Sequence, residues 1–270
     1  MSLVAHDVHL AYDRRTVVHG VDFAVPAGEV TVIVGANGCG KSTLLRGLGR
    51  IMRPTQGRVE LDGTDLRRLR PRDVATRLGL LPQAPTAPEG ITVADLVGRG
   101  RHPHQGAFGR WNADDGEAVS HALALTDTHD LAGRRVDELS GGQRQRVWIA
   151  MMLAQDPGIM LLDEPTTYLD IAHQVEVLDL LAELNAERAT TVVMVLHDLN
   201  LAARYAHQLV VMKDGRVLRS GEPGAILDAD CVREAFGLES QVLADPVAGC
   251  PMVVPIGRHV PTPGRRPPAT

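Results

Sequence analysis

The chain has 270 residues, 44% of them hydrophobic and 23% charged, with a formal net charge of -5. That length accommodates one large α/β domain with a well-buried core, and its longest apolar runs fall far short of the ~20 residues that cross a bilayer. Basic residues dispersed on an acidic background give no footprint for duplex nucleic acid, so no nucleic-acid partner is expected.

Met1 to Arg15 lacks a basic segment followed by an apolar run, which argues against export. Cys39, Cys231 and Cys250 have none of the close pairings of a zinc site or a disulfide framework, as suits a reduced compartment. In chain order, Leu3 to Tyr12 and Val17 to Val25 alternate apolar and polar residues at the strand period. Arg58 to Leu61 reads as a further strand before the turn Asp62-Gly63. Together these predict an antiparallel layer. Val30 to Val34 is instead apolar throughout, the composition of a strand buried on both faces of a parallel sheet.

That run leads into Gly35-Ala36-Asn37-Gly38-Cys39-Gly40-Lys41-Ser42-Thr43, a match to G-x-x-x-x-G-K-[ST] in the strand-to-helix setting the motif requires. Glycines let the loop curl so that backbone N–H groups face phosphate oxygens, and the following helix adds the positive end of its dipole. Lys41, one of only two lysines with Lys213, would reach the β and γ phosphates of a nucleoside triphosphate, and Ser42 would offer its hydroxyl to Mg²⁺. Cys39 lies near a helix N-terminus, a setting expected to lower its thiol pKa and make it reactive. The opposing expectation is a small, inert residue turned into the core.

Between Thr92 and Ala154 the pattern turns mostly helical, with Ala118, Val119, Ala122 and Leu123 on one face, so an inserted helical subdomain is predicted over about 84–155. Its second helix opens at Leu139-Ser140-Gly141-Gly142-Gln143, where Ser140 is placed to cap and two glycines expose N–H groups as a second anion site. One compact domain cannot easily aim two helix N-termini at one triphosphate, which points to a phosphate bound on another copy. Ile159 to Leu162 carries Asp163 and Glu164 to the carboxyl end of a buried strand, where open α/β sheets place their ligands. Asp163 would hold Mg²⁺ through its water shell, and Glu164 would polarise an attacking water. Thr191 to Leu196 is the third buried run. Beyond it, Leu209 to Met212 and Val217 to Arg219 flank the hairpin signal Asp214-Gly215. A helix near Gly224 to Phe236 and a weak hairpin near Gln241 to Ile256 follow. From Gly257 onward, Pro261, Pro263, Pro267 and Pro268 with little apolar content predict a disordered tail, 257–270.

Over about residues 2–240 these elements and their order resemble the nucleotide-binding domain of ABC transporters. Leu139 to Gln143 resembles the signature pentapeptide, beside Walker A and Walker B elements at 35–43 and 159–164. The resemblance implies an α/β fold: a P-loop NTPase core (RecA-like parallel sheet) with an N-terminal antiparallel β subdomain and an inserted α-helical subdomain, followed by a C-terminal extension, 241–256. It implies that Tyr12 stacks on adenine, that Gln83 contacts Mg²⁺ and water and senses a membrane partner, and that Asp170 crosses a dimer interface. It further implies that His197 contacts the γ-phosphate, and that Lys41 and Glu164 of one copy face Ser140 and Gly142 of the other.

Finer likeness lies in Gly38-Cys39-Gly40, in Gly100 to Gln105, in Gln143 to Met151 and in Asp163 to Gln174, which resemble ferric-siderophore importer ATPases. The nearest relatives of that group import haem and cobalamin. The implied protein hydrolyses ATP with Mg²⁺ as a peripheral subunit on the cytoplasmic face of the cell membrane. It would pair with a second copy, bind transmembrane permease subunits through the loop from Ala84 to Arg110, and serve an extracytoplasmic substrate-binding protein indirectly. His102 and His104 flank Pro103 with no cysteine or carboxylate cluster, and are not read as iron ligands. An ABC-type ATPase of DNA repair or the ribosome is the alternative of another class. Such proteins usually carry long coiled-coil insertions or two fused ATPase domains, and this chain has neither. A kinase-like P-loop enzyme leaves Ser140 to Gln143 unexplained.

Overall fold

The computed structural model describes residues 1–105, 111–167 and 169–257. All of the predicted tail 257–270 except Gly257, part of the loop expected to meet a permease (106–110) and Tyr168 lie outside the described residues. The alternating N-terminal segments form one antiparallel sheet. β1 (Leu3–Tyr12) and β2 (Arg15–Val25) pair across a two-residue turn in which Asp13 adopts a left-handed φ of 50°. The fully buried β3 (Val30–Gly35) leaves this sheet, to which β4 (Gln56–Leu61) and β5 (Thr64–Asp65) then return on the free side of β1.

The apolar runs make a second sheet. β6 (Leu78–Leu81), β7 (Ile159–Asp163), β8 (Thr191–Val195) and β9 (Gln208–Lys213) run parallel with β3, and β10 (Arg216–Gly221) closes one edge antiparallel to β9. The order across it is β10-β9-β3-β8-β7-β6. The turn between β9 and β10 has Asp214 and Gly215 both at positive φ, as the hairpin dipeptide predicts. β6 and the parallel pairing of β9 with β3 were not predicted.

Along each central strand successive side chains enter different cores. Val32, Leu162, Met194 and Val211 join one, while Ile33, Leu161, Val195 and Val210 join the other. The second core is covered by the antiparallel sheet together with α1 (Lys41–Leu48) and α2 (Pro71–Ala75). The first is covered by α3 (Val93–Gly98), α4 (Ala113–Leu125), α5 (Gly141–Gln155), α6 (Ile171–Arg188) and α7 (Leu199–Tyr205). Each fully buried Val, Leu or Ile contributes about 1.5–3 kcal/mol. With both faces covered, the strands read as continuous apolar runs rather than alternating ones.

The helix expected near Gly224 to Phe236 is two helices, α8 (Pro223–Ile226) and α9 (Ala229–Phe236). The break occurs because Asp228 caps α9 by accepting from the Cys231 N–H, and it also pairs with Arg219 on β10. The weak hairpin signal resolves into β11 (Ser240–Ala244) and β12 (Pro251–Pro255). Its attachment is to α7: the Asn200 amide accepts from the Val253 N–H at 2.7 Å and donates to the Val253 carbonyl at 3.3 Å, and Arg204 pairs with Asp245.

Arg204, and then the Val247 and Ala248 amides, hold the Asp245 carboxyl down to about 2. A carboxylate depressed in the fold adds stability above its unfolded pKa of about 3.9, and that stability is lost as pH falls through the folded value. Asp245→Asn should therefore lower the thermal midpoint at pH 7, with the gap to the parent narrowing as pH drops from 4 towards 2. A gap that stays constant over that range would show that the ion pair is not its source.

Candidate active site

The phosphate loop is shaped by contacts behind it as well as by its own glycines. Gly35 lies opposite Met212 of β9, so close that a Cβ there would strike the Met212 carbonyl and sit 2.7 Å from the Cys39 sulfur. Gly40 reaches φ 103° immediately before α1, a conformation open to glycine and strained for any side chain. From the β9–β10 turn, the Gly215 N–H donates to the Cys39 carbonyl at 3.0 Å and its carbonyl accepts from the His19 N–H at 2.8 Å. The loop is thereby tied to two strands besides its own. Lys41 is buried, and its Nζ donates to the carbonyls of Gly35 at 2.9 Å and Ala36 at 3.2 Å. A cation is thus held against a ring of backbone dipoles.

Facing the loop are the carboxyl ends of β7 and β8. Asn37, Gly38, Gly40, Lys41, Ser42 and Thr43 line one cleft with Val17, Glu164 and His197. Asp163 is 2% exposed, and neither carboxylate oxygen has a hydrogen-bond partner among the described residues. Burial pushes its carboxyl up, against the pull of Ser42, Arg46 and Lys41. The Ser42 hydroxyl is near enough to act on the charge but does not reach hydrogen-bond geometry. An isolated buried carboxylate is costly unless a cation or donors meet it, so Asp163 and the nearby Ser42 hydroxyl are the residues that would hold a hydrated divalent cation here.

Glu164 sits at φ 56°, left-handed for a residue with a side chain, a strain of about 1–3 kcal/mol that aims the carboxylate back across the sheet end. Two donors and a close imidazole converge on it. Oε2 accepts from Gln83 Nε2 at 2.5 Å and from Thr167 Oγ1 at 2.9 Å, and Oε1 lies 2.6 Å from His197 Nε2. Gln83 follows β6, Glu164 follows β7 and His197 follows β8, three adjacent strands. Thr167 is a site residue that sequence reasoning gives no role. Its signal was its position three residues after Glu164, where the Thr167 N–H bonds back to the Glu164 carbonyl at 3.2 Å.

The remaining predicted residues do not line this cleft. Tyr12, at the end of β1, is 45% exposed and its hydroxyl accepts from Arg46 at 3.0 Å. Ser140 caps α5 in a reciprocal box: its Oγ accepts from the Gln143 N–H at 3.3 Å, and Gln143 Oε1 accepts from the Ser140 N–H at 3.1 Å. Gly141 and Gly142 form the first turn of that helix. Asp170 caps α6 through the His173 N–H at 3.0 Å. His104 is engaged within the fold, its Nε2 donating to the Gln155 carbonyl at 2.7 Å.

Cys39 differs from the reactive thiol that its place beside a helix N-terminus suggested. Its side chain is 6% exposed and packed in the core beneath the loop, and burial raises its pKa despite nearby Lys41. Loss of hydration outweighs the favourable field, as it does for thiols in apolar surroundings.

A glycine-rich loop between a central parallel strand and a helix, opposed by two acidic residues at the end of β7, one strand beyond the adjacent β8, defines a P-loop nucleoside triphosphatase. The family described as ABC transporter matches residues 18–167. The ferric enterobactin transport ATP-binding protein FepC of Escherichia coli (strain K12) is 51% identical over 253 residues, 94% of this chain and 93% of that protein. The achromobactin transport ATP-binding protein CbrD of Dickeya dadantii (strain 3937) is 48% identical over 260 residues, 96% and 97% of the two chains. Among solved structures, a dimeric bacterial ABC transporter cassette superposes with a TM-score of 0.72 at 29% identity, covering 82% of this chain and 98% of that one. The chain belongs to the ABC transporter family, as an ATP-binding member that hydrolyses ATP.

The burial of Cys39 sets an alkylation order. In native protein at pH 7 Cys250, which is partly exposed, should label first, while Cys39 and Cys231 should label only after unfolding. Mass-spectrometric mapping that finds Cys39 modified as fast as Cys250 would contradict the buried position.

Proposed function

We propose that this chain energises uptake of ferric siderophores across the cytoplasmic membrane. It acts as one of two identical ATP-hydrolysing subunits seated on the cytoplasmic face of a permease, which an extracytoplasmic binding protein supplies. The observation that carries the cargo is 51% identity over nearly the full chain to a ferric enterobactin transport subunit. Dimerisation is supported by the dimeric cassette of the same fold. The four parts of the sequence that resemble siderophore importers add to it, because they include the phosphate loop, the start of α5 and the segment from Asp163 to Gln174.

The residues divide the work as follows. Backbone N–H groups of 35–43 hold the triphosphate, Lys41 exchanges its two carbonyl partners for β and γ oxygens, and Tyr12 offers a ring face to adenine. Ser42, Asp163 and Gln83 would hold Mg²⁺, which when bound neutralises charge developing on the transferred phosphoryl group. Glu164 takes a proton from the attacking water, its carboxylate aimed by Thr167 and His197. His197 contacts the γ-phosphate. Ser140, Gly141, Gly142 and Gln143 of the second copy close the site with the N-terminus of α5, and Asp170 lies along the shared interface.

Glu164→Gln should leave ATP binding intact, lower turnover by about 10²–10⁴-fold and let ATP-bound dimers accumulate in gel filtration. Turnover near that of the parent would remove Glu164 from the role of base. In cells, loss of the gene should abolish uptake of radiolabelled ferric enterobactin or a related ferric siderophore under iron limitation, and a plasmid copy should restore it. Unimpaired ferric-siderophore uptake with loss of haem or cobalamin uptake would reassign the cargo.

A further inference from the structure

The start of α5 is held by one side chain of α6. Asp170 accepts from both the His173 N–H at 3.0 Å and the His173 ring at Nδ1, 2.7 Å away. With Nδ1–H directed at that carboxylate, the far edge of the imidazole rests on Gly142, the second residue of α5. A Cβ at Gly142 would lie 2.7 Å from His173 Cδ2 and 3.2 Å from Nε2. The close approach therefore requires glycine at 142 and a flat ring at 173. α5 opens with two consecutive glycines, the residues that lose most freedom when ordered, and apart from the Ser140–Gln143 box its first turn has little of its own to stiffen it.

We propose that His173 is a positioning residue that joins the Asp170 loop to the N-terminus of α5, so that these two elements approach the partner's nucleotide as one body. The inference rests on the reading that two copies enclose ATP. Asp170 fixes the ring, the ring fixes Gly142, and the N–H groups of Gly141 and Gly142 keep the direction needed to meet a phosphate. Pre-organisation of this kind acts on dimer closure and not on first capture of nucleotide, because His173 is absent from the cleft around Lys41.

The test uses the full chain in a Glu164→Gln background. Removing the ring in His173→Ala should raise the ATP concentration for half-maximal dimerisation about five- to tenfold, a coupling ordinary for residues in contact. Binding of a fluorescent ATP analogue to dilute monomer should stay within twofold, and amide exchange at residues 141–143 of the monomer should quicken. Gly142→Ala should impair dimerisation when His173 is present and cost clearly less in the His173→Ala chain, since the clash is then gone. Unchanged dimerisation and exchange in His173→Ala, an equal loss of monomer nucleotide affinity, or additive costs in the double mutant would each overturn the proposal. Failure of the two-copy reading is distinguishable: the Glu164→Gln parent itself would then form no ATP-dependent dimer, while the exchange measurement would still report on the clamp.

Discussion

The convergence of Gln83, Thr167 and His197 on the Glu164 carboxylate organises the catalytic end of this molecule. No two of the long-range partners are neighbours in sequence. They meet because β6, β7 and β8 are adjacent and parallel, and because Leu81 pairs with Leu162 and Asp163 with Val195, so that the three strand ends finish at one level. A register shift of one residue in either pair would reverse the faces of the buried side chains as well as the reach of these groups. The geometry of the site is therefore enforced by the packing of the sheet. The left-handed backbone at Glu164 is a local strain that this packing sustains.

The sheet also separates two environments. On one side α1 and the antiparallel layer build the phosphate loop against β3, with Leu44, Leu45 and Leu48 anchoring the helix that follows Lys41. On the other, α5, α6 and α7 lie over the same strands through Ile149, Leu178, Leu181 and Ala202. The helices that start at Ser140, Asp170 and Asp198 each have their first turn capped by a polar side chain. Each also follows directly from a segment with a proposed role in ATP turnover. Nucleotide-dependent movement of those segments would thus be transmitted to helices seated on a common core, and the contact between His173 and Gly142 links two of them outside that core.

The C-terminal hairpin belongs to this arrangement through α7. That helix begins two residues after His197, and it carries both Asn200 and Arg204, which grip Val253 and Asp245. The hairpin strengthens the helix at the point where the chain leaves the catalytic edge. Its outer face retains Leu243 and Val254 in contact with solvent.

Much of this was legible in the sequence because local chemistry suffices for it. The phosphate loop follows from glycine spacing and one lysine. The cap at Ser140 follows from a polar residue before a helix with glutamine three positions on. The three recognised parallel strands follow from unbroken apolar runs. The acidic pair at 163–164 was placed at a strand end by the run that precedes it. Other features were decided only by tertiary structure. β6 is too short, and β9 too closely tied to its hairpin, for composition to say that they join the parallel sheet. Cys39 sits beside a helix N-terminus in sequence, yet its burial depends on packing with residues such as Met212 of β9, far away in the chain. Thr167 and His173 look like ordinary polar residues until the backbone turns one towards Glu164 and the other against Gly142. Sequence determines what each segment can do next to its own neighbours. Which carboxylate gathers three polar partners, and which thiol loses its water, depends on contacts between segments far apart in the chain, and only the packed fold sets those.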